Sequence, residues 1–468
     1  MTNLADLSAT ALLAGYRDGV FSPVEVIDAV LARVDGWERH INALYTFDAE
    51  PARAAAVASA ARWHRGEPAG ALDGIPLTLK ENIGTLGCPT PFGSAATELI
   101  PATENSPTAD RVAEAAGIVL GKTTMPDYGM SSSGLSSFHG ITRNPWNLAR
   151  NPGGSSSGAA AAGAAGYGPI HFGSDIGGSI RLPAGWCGLV GFKPSFGRIP
   201  VVPPYLGRAI GPLTRTVADA ALATAVAAVP DRRDHTTAPA LPQDWSMAST
   251  PLDLTGVRIG LMSEAGTGLP VEPAVAAAVA AAAGLLESLG ARIEPVAPLM
   301  TDDMLSGLND FWRIRQWAQI RSLPADRREK ILPYILSWCS GAENLGAAAI
   351  FDGYSQFDAM SVAVDRRLDL VDFLITPTSP VTTWPIEQVA PEDNPILPFR
   401  HIAFTVPFNP AGHPAISMDC GRAADGTAIG VQLVGRRFDD VRVLQLATAF
   451  EQARPPQPAW PQPPADHP

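Results

Sequence analysis

The sequence predicts an α/β protein built on a large mixed β-sheet covered on both faces by helices, with a helical insertion. Three observations lead there. Short apolar runs such as PLTLK, PIHFGSD and FLITPT alternate with helical stretches, the pattern of parallel strands joined by crossover helices. Near the C-terminus PAISMDCG and AIGVQLVG flank Asp425-Gly426, a hairpin signal that adds antiparallel strands. Hydrophobic residues make up 46% of the 468, enough for one large core, and no internal repeat divides the chain. A single domain over residues 1–468 is expected.

The elements follow in order. Residues 1–70 hold two or three N-terminal helices, one of them marked by a capping box: Ser22 at the cap, Pro23 at the first helical position and Glu25 three residues after the cap. An alanine-rich helix (about 50–65) precedes the turn LDGIP and the strand PLTLK, which delivers Lys80 at its end. A core segment spans 71–230, with a helix near 107–116, the strand GIVLG, a buried alanine-rich helix after NPGGSSSG, strands PIHFGSD and GFKPSFGRIP, and a helix from TRTVADAALATAVAA. A loop (230–255) leads to VRIGLM, a long helix from 271 and ARIEPV. Residues 301–370 are the helical insertion, followed by FLITPT, the hairpin and a helix at about 440–453. The tail 455–468, PPQPAWPQPPADHP, is expected to be disordered.

The charge restricts partners. Acidic residues outnumber basic ones for a net charge of −12, and no lysine or arginine run forms a basic patch, so nucleic acid is not an expected partner. The N-terminal stretch MTNLADLSATALLAGYRDG is an amphipathic helix rather than a signal peptide, and the most apolar run, Ala159 to Ile170, is too short to span a bilayer. No membrane association and a cytoplasmic location are expected. Four scattered cysteines, Cys88, Cys187, Cys339 and Cys420, read as buried thiols of a reducing compartment. No His/Cys/Asp cluster has metal-ligand spacing, so neither metal nor cofactor is expected. Gly121-Lys122-Thr123 resembles the end of a phosphate-binding loop, but Ala116 stands where that motif needs glycine.

The chemistry is concentrated in serines among glycines. Residues 154–158, GSSSG, fit a nucleophile elbow with Ser156 as nucleophile. An elbow needs a strand running into the serine, and Asn151-Pro152-Gly153-Gly154 is a poor strand. His171 and His413 have no acid partner by spacing. The alternative is Asp175-Ile176-Gly177-Gly178-Ser179, where two residues without side chains precede a hydroxyl. Such a loop turns backbone N–H groups toward one point, each aligned donor contributing roughly 3–4 kcal/mol to an oxyanion. Ser179 is then the nucleophile. Lys80 serves as its base if burial lowers its pKa by about three units, although an isolated lysine is more often a solvated surface residue.

The segments GIPLTLKENI, TRNPWNLARNPGGSSSGAAAA and GSDIGGSIRLPAGWCGLVGFKPSFGRIP resemble the amidase signature family, and the similarity runs from the first helices to GVQLVGRRFDD. The resemblance implies a Ser–Ser–Lys triad. Lys80 matches the lysine of the K-E/D-N motif, Ser155 the bridging serine after a non-proline cis peptide bond, and Ser179 the nucleophile. Ser156 is then structural. The N–H groups of Ile176, Gly177, Gly178 and Ser179 form the implied oxyanion hole. Asp175 and Arg181 are either orienting hydrogen-bond partners or a local ion pair. One departure stands out: Ser157 occupies a position where many members have glycine.

For substrate, PDYGMSSSG aligns with residues lining the acyl side in relatives: Gly129 and Ser131 as contacts, Tyr128 and Met130 as wall. Phe311, Trp312, Trp317, Tyr334 and Trp338 of the insertion either close the pocket over a hydrophobic leaving group or simply pack the core. The expected activity is that of a stand-alone amidase on aryl or alkyl amides, extending to carbamates (urethanase activity) and esters. The alternatives are a glutaminase subunit of a tRNA-dependent amidotransferase and a biuret- or urea-type hydrolase. The expected partner is thus a small amide or carbamate, in a pocket of mainly apolar and hydroxyl groups. A homodimer is suggested by family analogy alone.

Overall fold

The computed structural model describes residues 3–240 and 243–464. Among these residues the strands are β1 (Leu44–Tyr45), β2 (Pro76–Lys80), β3 (Ile118–Thr123), β4 (Leu135–Ser136), β5 (Gly140–Ile141), β6 (Ile170–Asp175), β7 (Val190–Lys193), β8 (Ala209–Thr214), β9 (Arg258–Leu261), β10 (Arg292–Pro295), β11 (Phe373–Pro377), β12 (Ala415–Arg422) and β13 (Ala428–Val434). Eleven of them form one sheet in the order β1-β3-β2-β6-β8-β7-β12-β13-β11-β9-β10. Pairing is parallel for β3-β2-β6 and for β11-β9-β10, and antiparallel through the centre. The mixed sheet predicted from the strand–helix alternation is what the chain forms.

Helices cover it on both faces. The capping box holds: the Ser22 hydroxyl accepts from Glu25 N–H, and the Glu25 carboxylate accepts from Ser22 N–H, opening the helix Pro23–Ile41. One core packs the helices Val217–Ala227, Pro273–Ser288 and Asp440–Ala453 around Phe192, Phe373, Leu433 and Phe450. A second joins Trp37, Leu120 and Tyr167 under the N-terminal helices. The insertion forms the helices Asp302–Ile320, Ala325–Arg328, Pro333–Ser340 and Ala347–Leu368, whose inner face packs against Met130, Leu182 and Ile402.

Four expectations change. The strand β8 was not legible, because Gly211-Pro212 argues against a strand interior. Its partners require that pair: a Cβ at Gly211 would sit 2.1 Å from the carbonyl oxygen of Phe192, and Pro212 lies opposite Phe172. The strand in GFKPSFGRIP ends at Lys193, since Pro194 follows; Ser195 N–H and Arg198 Nε instead bond to Asp440. The tail does not lack structure throughout. Trp460 lies beside Trp146 and under Arg215, and Arg33 donates to Pro461 O; its last residues, 465–468, lie outside the described residues. Of the four free cysteines only Cys187 and Cys339 are buried, while Cys88 and Cys420 are half-buried. No helix among the described residues is long and apolar enough to cross a membrane.

Candidate active site

The site forms where β2 and β6 end side by side. β2 is buried along its whole length and its last residue is Lys80, so a primary amine is carried into the protein interior. The Lys80 Nζ donates to Ser155 Oγ at 2.8 Å and to Ser156 Oγ at 3.1 Å. Burial pushes the Lys80 ammonium down to about 7, with the charge of Arg208 adding to the effect and Glu81 and Asp175 opposing it. That change from 10.5 amounts to roughly 5 kcal/mol against the charged form. A substantial neutral fraction is then present near pH 7, as a base requires.

Ser155 follows a cis peptide bond from Gly154. The next residue, Ser156, donates to Ser174 O, and its N–H donates to Ser179 O, so the serine segment is tied to the end of β6. Ser157 opens the buried alanine helix Ser157–Ala165 and donates its hydroxyl to Thr124 O, which satisfies the polar group that replaces glycine. His171 bonds to Thr78 and Gly168, and His413 to Asp365 and Gly435; neither contacts Ser156. Among the described residues the elbow reading of GSSSG has no histidine bonded to Ser156. Lys122 lies in β3, bonded to Ile83 O and Thr85, rather than in a phosphate loop.

The loop after β6 is held from behind. Arg181 binds the Asp175 carboxylate through Nε at 3.0 Å and Nη2 at 2.8 Å, both side chains being fully buried. Burial alone would raise the Asp175 carboxyl, but the Arg181 guanidinium overrides it and holds it well below the usual carboxylate range. Asp175 also accepts from Gly178 N–H at 2.8 Å and Ile180 N–H at 3.0 Å. The two readings of this pair therefore merge, because one ion pair also orients the loop.

That bond corrects the expected oxyanion hole. Gly178 N–H points back at Asp175 and is not available to a substrate oxygen, which leaves Ile176, Gly177 and Ser179 as candidate donors. A Cβ at Gly177 would lie 2.9 Å from Trp312 Cη2 and 3.1 Å from Ile402 Cδ1, so a larger residue there would have to displace the tips of these two cleft side chains.

Ser155 and Ser179 line one cleft. Tyr128, Gly129, Met130, Ser131, Ile176 and Gly177 line it too. Among the described residues no hydrogen bond joins the Ser155 and Ser179 hydroxyls; such relays often tighten only with substrate bound. From the insertion, Trp312 reaches the cleft, whereas Phe311 packs on Tyr354 and Phe357, and Trp338 donates to Asn309. Among the described residues no group of three or more His, Cys, Asp or Glu could hold a metal ion.

Several cleft residues were missed from sequence. Asn82 belongs to the quoted K-E-N motif and donates to Ser174 Oγ. Phe399 and Ile402 supply apolar wall from a segment with no motif. Arg208 and Arg315 also line the cleft, correcting the expectation of a pocket with mainly apolar and hydroxyl groups.

Residues 25–444 match the family described as Amidase. An acylamidase of Rhodococcus erythropolis is 34% identical, covering 97% of this chain and 96% of its own. A glutamyl-tRNA(Gln) amidotransferase subunit of Symbiobacterium thermophilum is 33% identical, covering 95% and 96%. Among solved structures, a bacterial aryl acylamidase of the amidase signature enzymes is similar at a TM-score of 0.87 and 28% identity, covering 96% of each chain.

Proposed function

The chain belongs to the amidase family, and from that membership we propose a serine hydrolase that cleaves the carbon–nitrogen bond of small aryl or alkyl amides through a Ser–Ser–Lys triad and an acyl-enzyme. Carbamates and esters present the same carbonyl carbon and fall within this reading. The observation that carries it is the buried, weakly basic Lys80 at 2.8 Å from Ser155, in the cleft that also holds Ser179.

In this mechanism neutral Lys80 takes a proton from Ser155 as Ser155 takes one from Ser179, whose oxygen attacks the carbonyl carbon. The N–H groups of Ile176, Gly177 and Ser179 hold the oxyanion. The departing amine collects its proton back through Ser155. Water, deprotonated along the same route, then attacks the acyl-enzyme and frees Ser179. Gly129 and Ser131 contact the acyl part, and Tyr128 and Met130 wall it.

A second reading, the glutaminase subunit of a tRNA-dependent amidotransferase, draws on the Symbiobacterium thermophilum relative. Glutamine carries an α-ammonium, and among the described residues no aspartate or glutamate lines the cleft to meet it. The net charge of −12 also disfavours a tRNA partner. The test is a panel of a nitroanilide, a primary amide, an aryl carbamate, glutamine and biuret, assayed for amine or ammonia release by the purified chain. Turnover of the anilide or carbamate, with little of glutamine, is expected. Glutamine as the best substrate, or activity only with added partner proteins and tRNA, contradicts the proposal.

A further inference from the structure

Most buried or half-buried arginines of this protein have a carboxylate. Arg33 and Arg215 pair with Asp6, Arg62 with Asp73, Arg181 with Asp175 and Arg198 with Asp440. Arg208 and Arg315 do not: among the described residues neither has a carboxylate within 4 Å. The Nε of each is buried and without a hydrogen-bond partner; the same holds for Arg33, Arg111, Arg313 and Arg422, but each of those four has a carboxylate beside it. An unpaired buried donor is costly, more so on a charged group with no counter-charge beside it, so two such cations side by side call for an explanation.

Their placement supplies one. In the antiparallel pairing of β6 with β8, Ala209 lies opposite Asp175, so Arg208 stands level with Ile176 at the start of the nucleophile loop. Arg208 donates one N–H to Pro203 O at 3.2 Å. Arg315, on the helix Asp302–Ile320, lies with its guanidinium carbon 4.3 Å from the ring centroid of Tyr205. Both arginines line the catalytic cleft and also a larger outer cavity. Among the described residues the outer cavity holds one acidic side chain, Glu98, which already pairs with Arg327. The two cations therefore stand at the throat between solvent and the reacting serines. Burial, with repulsion from Arg315 adding to it, pushes the Arg208 guanidinium down to about 10.

We propose that Arg208 and Arg315 form a carboxylate-binding subsite, so that the substrate is an amide bearing a carboxylate on its amine or acyl half. This rests on the amide-hydrolase reading above and narrows it. A guanidinium presents N–H donors in a planar fork that matches a carboxylate, and two forks at the throat bind an anion while the apolar wall of Phe92, Trp312, Phe399 and Ile402 takes the rest of the molecule. The anion offsets the repulsion between the two arginines and occupies their free donors.

The test uses matched pairs. For the amine half, 4-acetamidobenzoate is compared with acetanilide; for the acyl half, N-phenylsuccinamate is compared with N-phenylbutanamide. The charged member of one pair is expected to show a kcat/KM higher by roughly 10- to 100-fold at low salt. That ratio collapses toward one in Arg315→Gln and is partly kept in Arg315→Lys, which separates loss of charge from loss of folding. Calorimetric titration of benzoate onto the wild-type protein reads the same subsite without turnover, and binding should weaken by roughly 10- to 100-fold in Arg315→Gln. Equal kcat/KM within both pairs, or no binding of benzoate, overturns the subsite. Failure to hydrolyse any of the four amides while benzoate still binds overturns the amide-hydrolase reading and leaves the subsite standing.

Discussion

Arg181 holds Asp175 in a two-point, fully buried ion pair, and the same carboxylate draws in the N–H groups of Gly178 and Ile180. The remaining guanidinium donors reach Thr405 O, Gln432 and Asn409, so strand β13 and the 405–409 segment are clamped to the nucleophile loop. The shape of the loop around Ser179 thus depends on residues more than two hundred positions away.

Removing one partner of this pair strands a charge. Asp175→Ala is expected to cost roughly 3–5 kcal/mol in urea denaturation. The Asp175 carboxyl is held below its ordinary range, so its stabilising contribution is fully present above its unfolded pKa and is lost only as pH falls through the depressed folded value. A wild-type loss of stability near pH 5 that vanishes in the variant would contradict this assignment.

The nucleophile is tested by labelling. A fluorophosphonate probe should modify Ser179, found by mass spectrometry, and Ser179→Ala should abolish turnover with the fold intact by circular dichroism. Modification at Ser156 instead would revive the elbow.

Lys80 is a base only when neutral, and its pKa lies at about 7. Raising the pH through that value increases the neutral fraction, so kcat/KM should climb with an ascending limb near 7 and level off above it. Lys80→Ala should reduce acylation by several orders of magnitude, roughly 10²–10⁴-fold for lost general base catalysis. Full activity in that variant rules the lysine out.

Arg208 also links the throat to the base, since its charge helps depress Lys80. A carboxylate bound against Arg208 offsets that charge and favours the protonated amine. For a carboxylate-bearing substrate the limb of kcat, which reports the bound enzyme, should therefore lie at higher pH than the limb of kcat/KM. With the matched neutral amide the two limbs should coincide. Coincident limbs for both substrates contradict the coupling.

Short-range patterns were legible before folding. Alternating apolar runs specified the mixed sheet, Ser22 and Glu25 a helix start, and PLTLK a strand ending in Lys80. Local motifs and their resemblance to a family singled out Lys80, Ser155 and Ser179; the fold puts the two serines in one cleft and buries Lys80 against Ser155. Tertiary structure decided the rest. Gly211-Pro212 reads as a break until Phe192 and Phe172 lie across from it and make it a strand. Gly178 reads as an oxyanion donor until the Asp175 carboxylate takes its N–H. Arg208 and Arg315 carry no local signal at all, because an arginine's role depends on whether a carboxylate lies within reach. That is settled only when a loop before β8 and a helix of the insertion meet over the nucleophile with no acid between them.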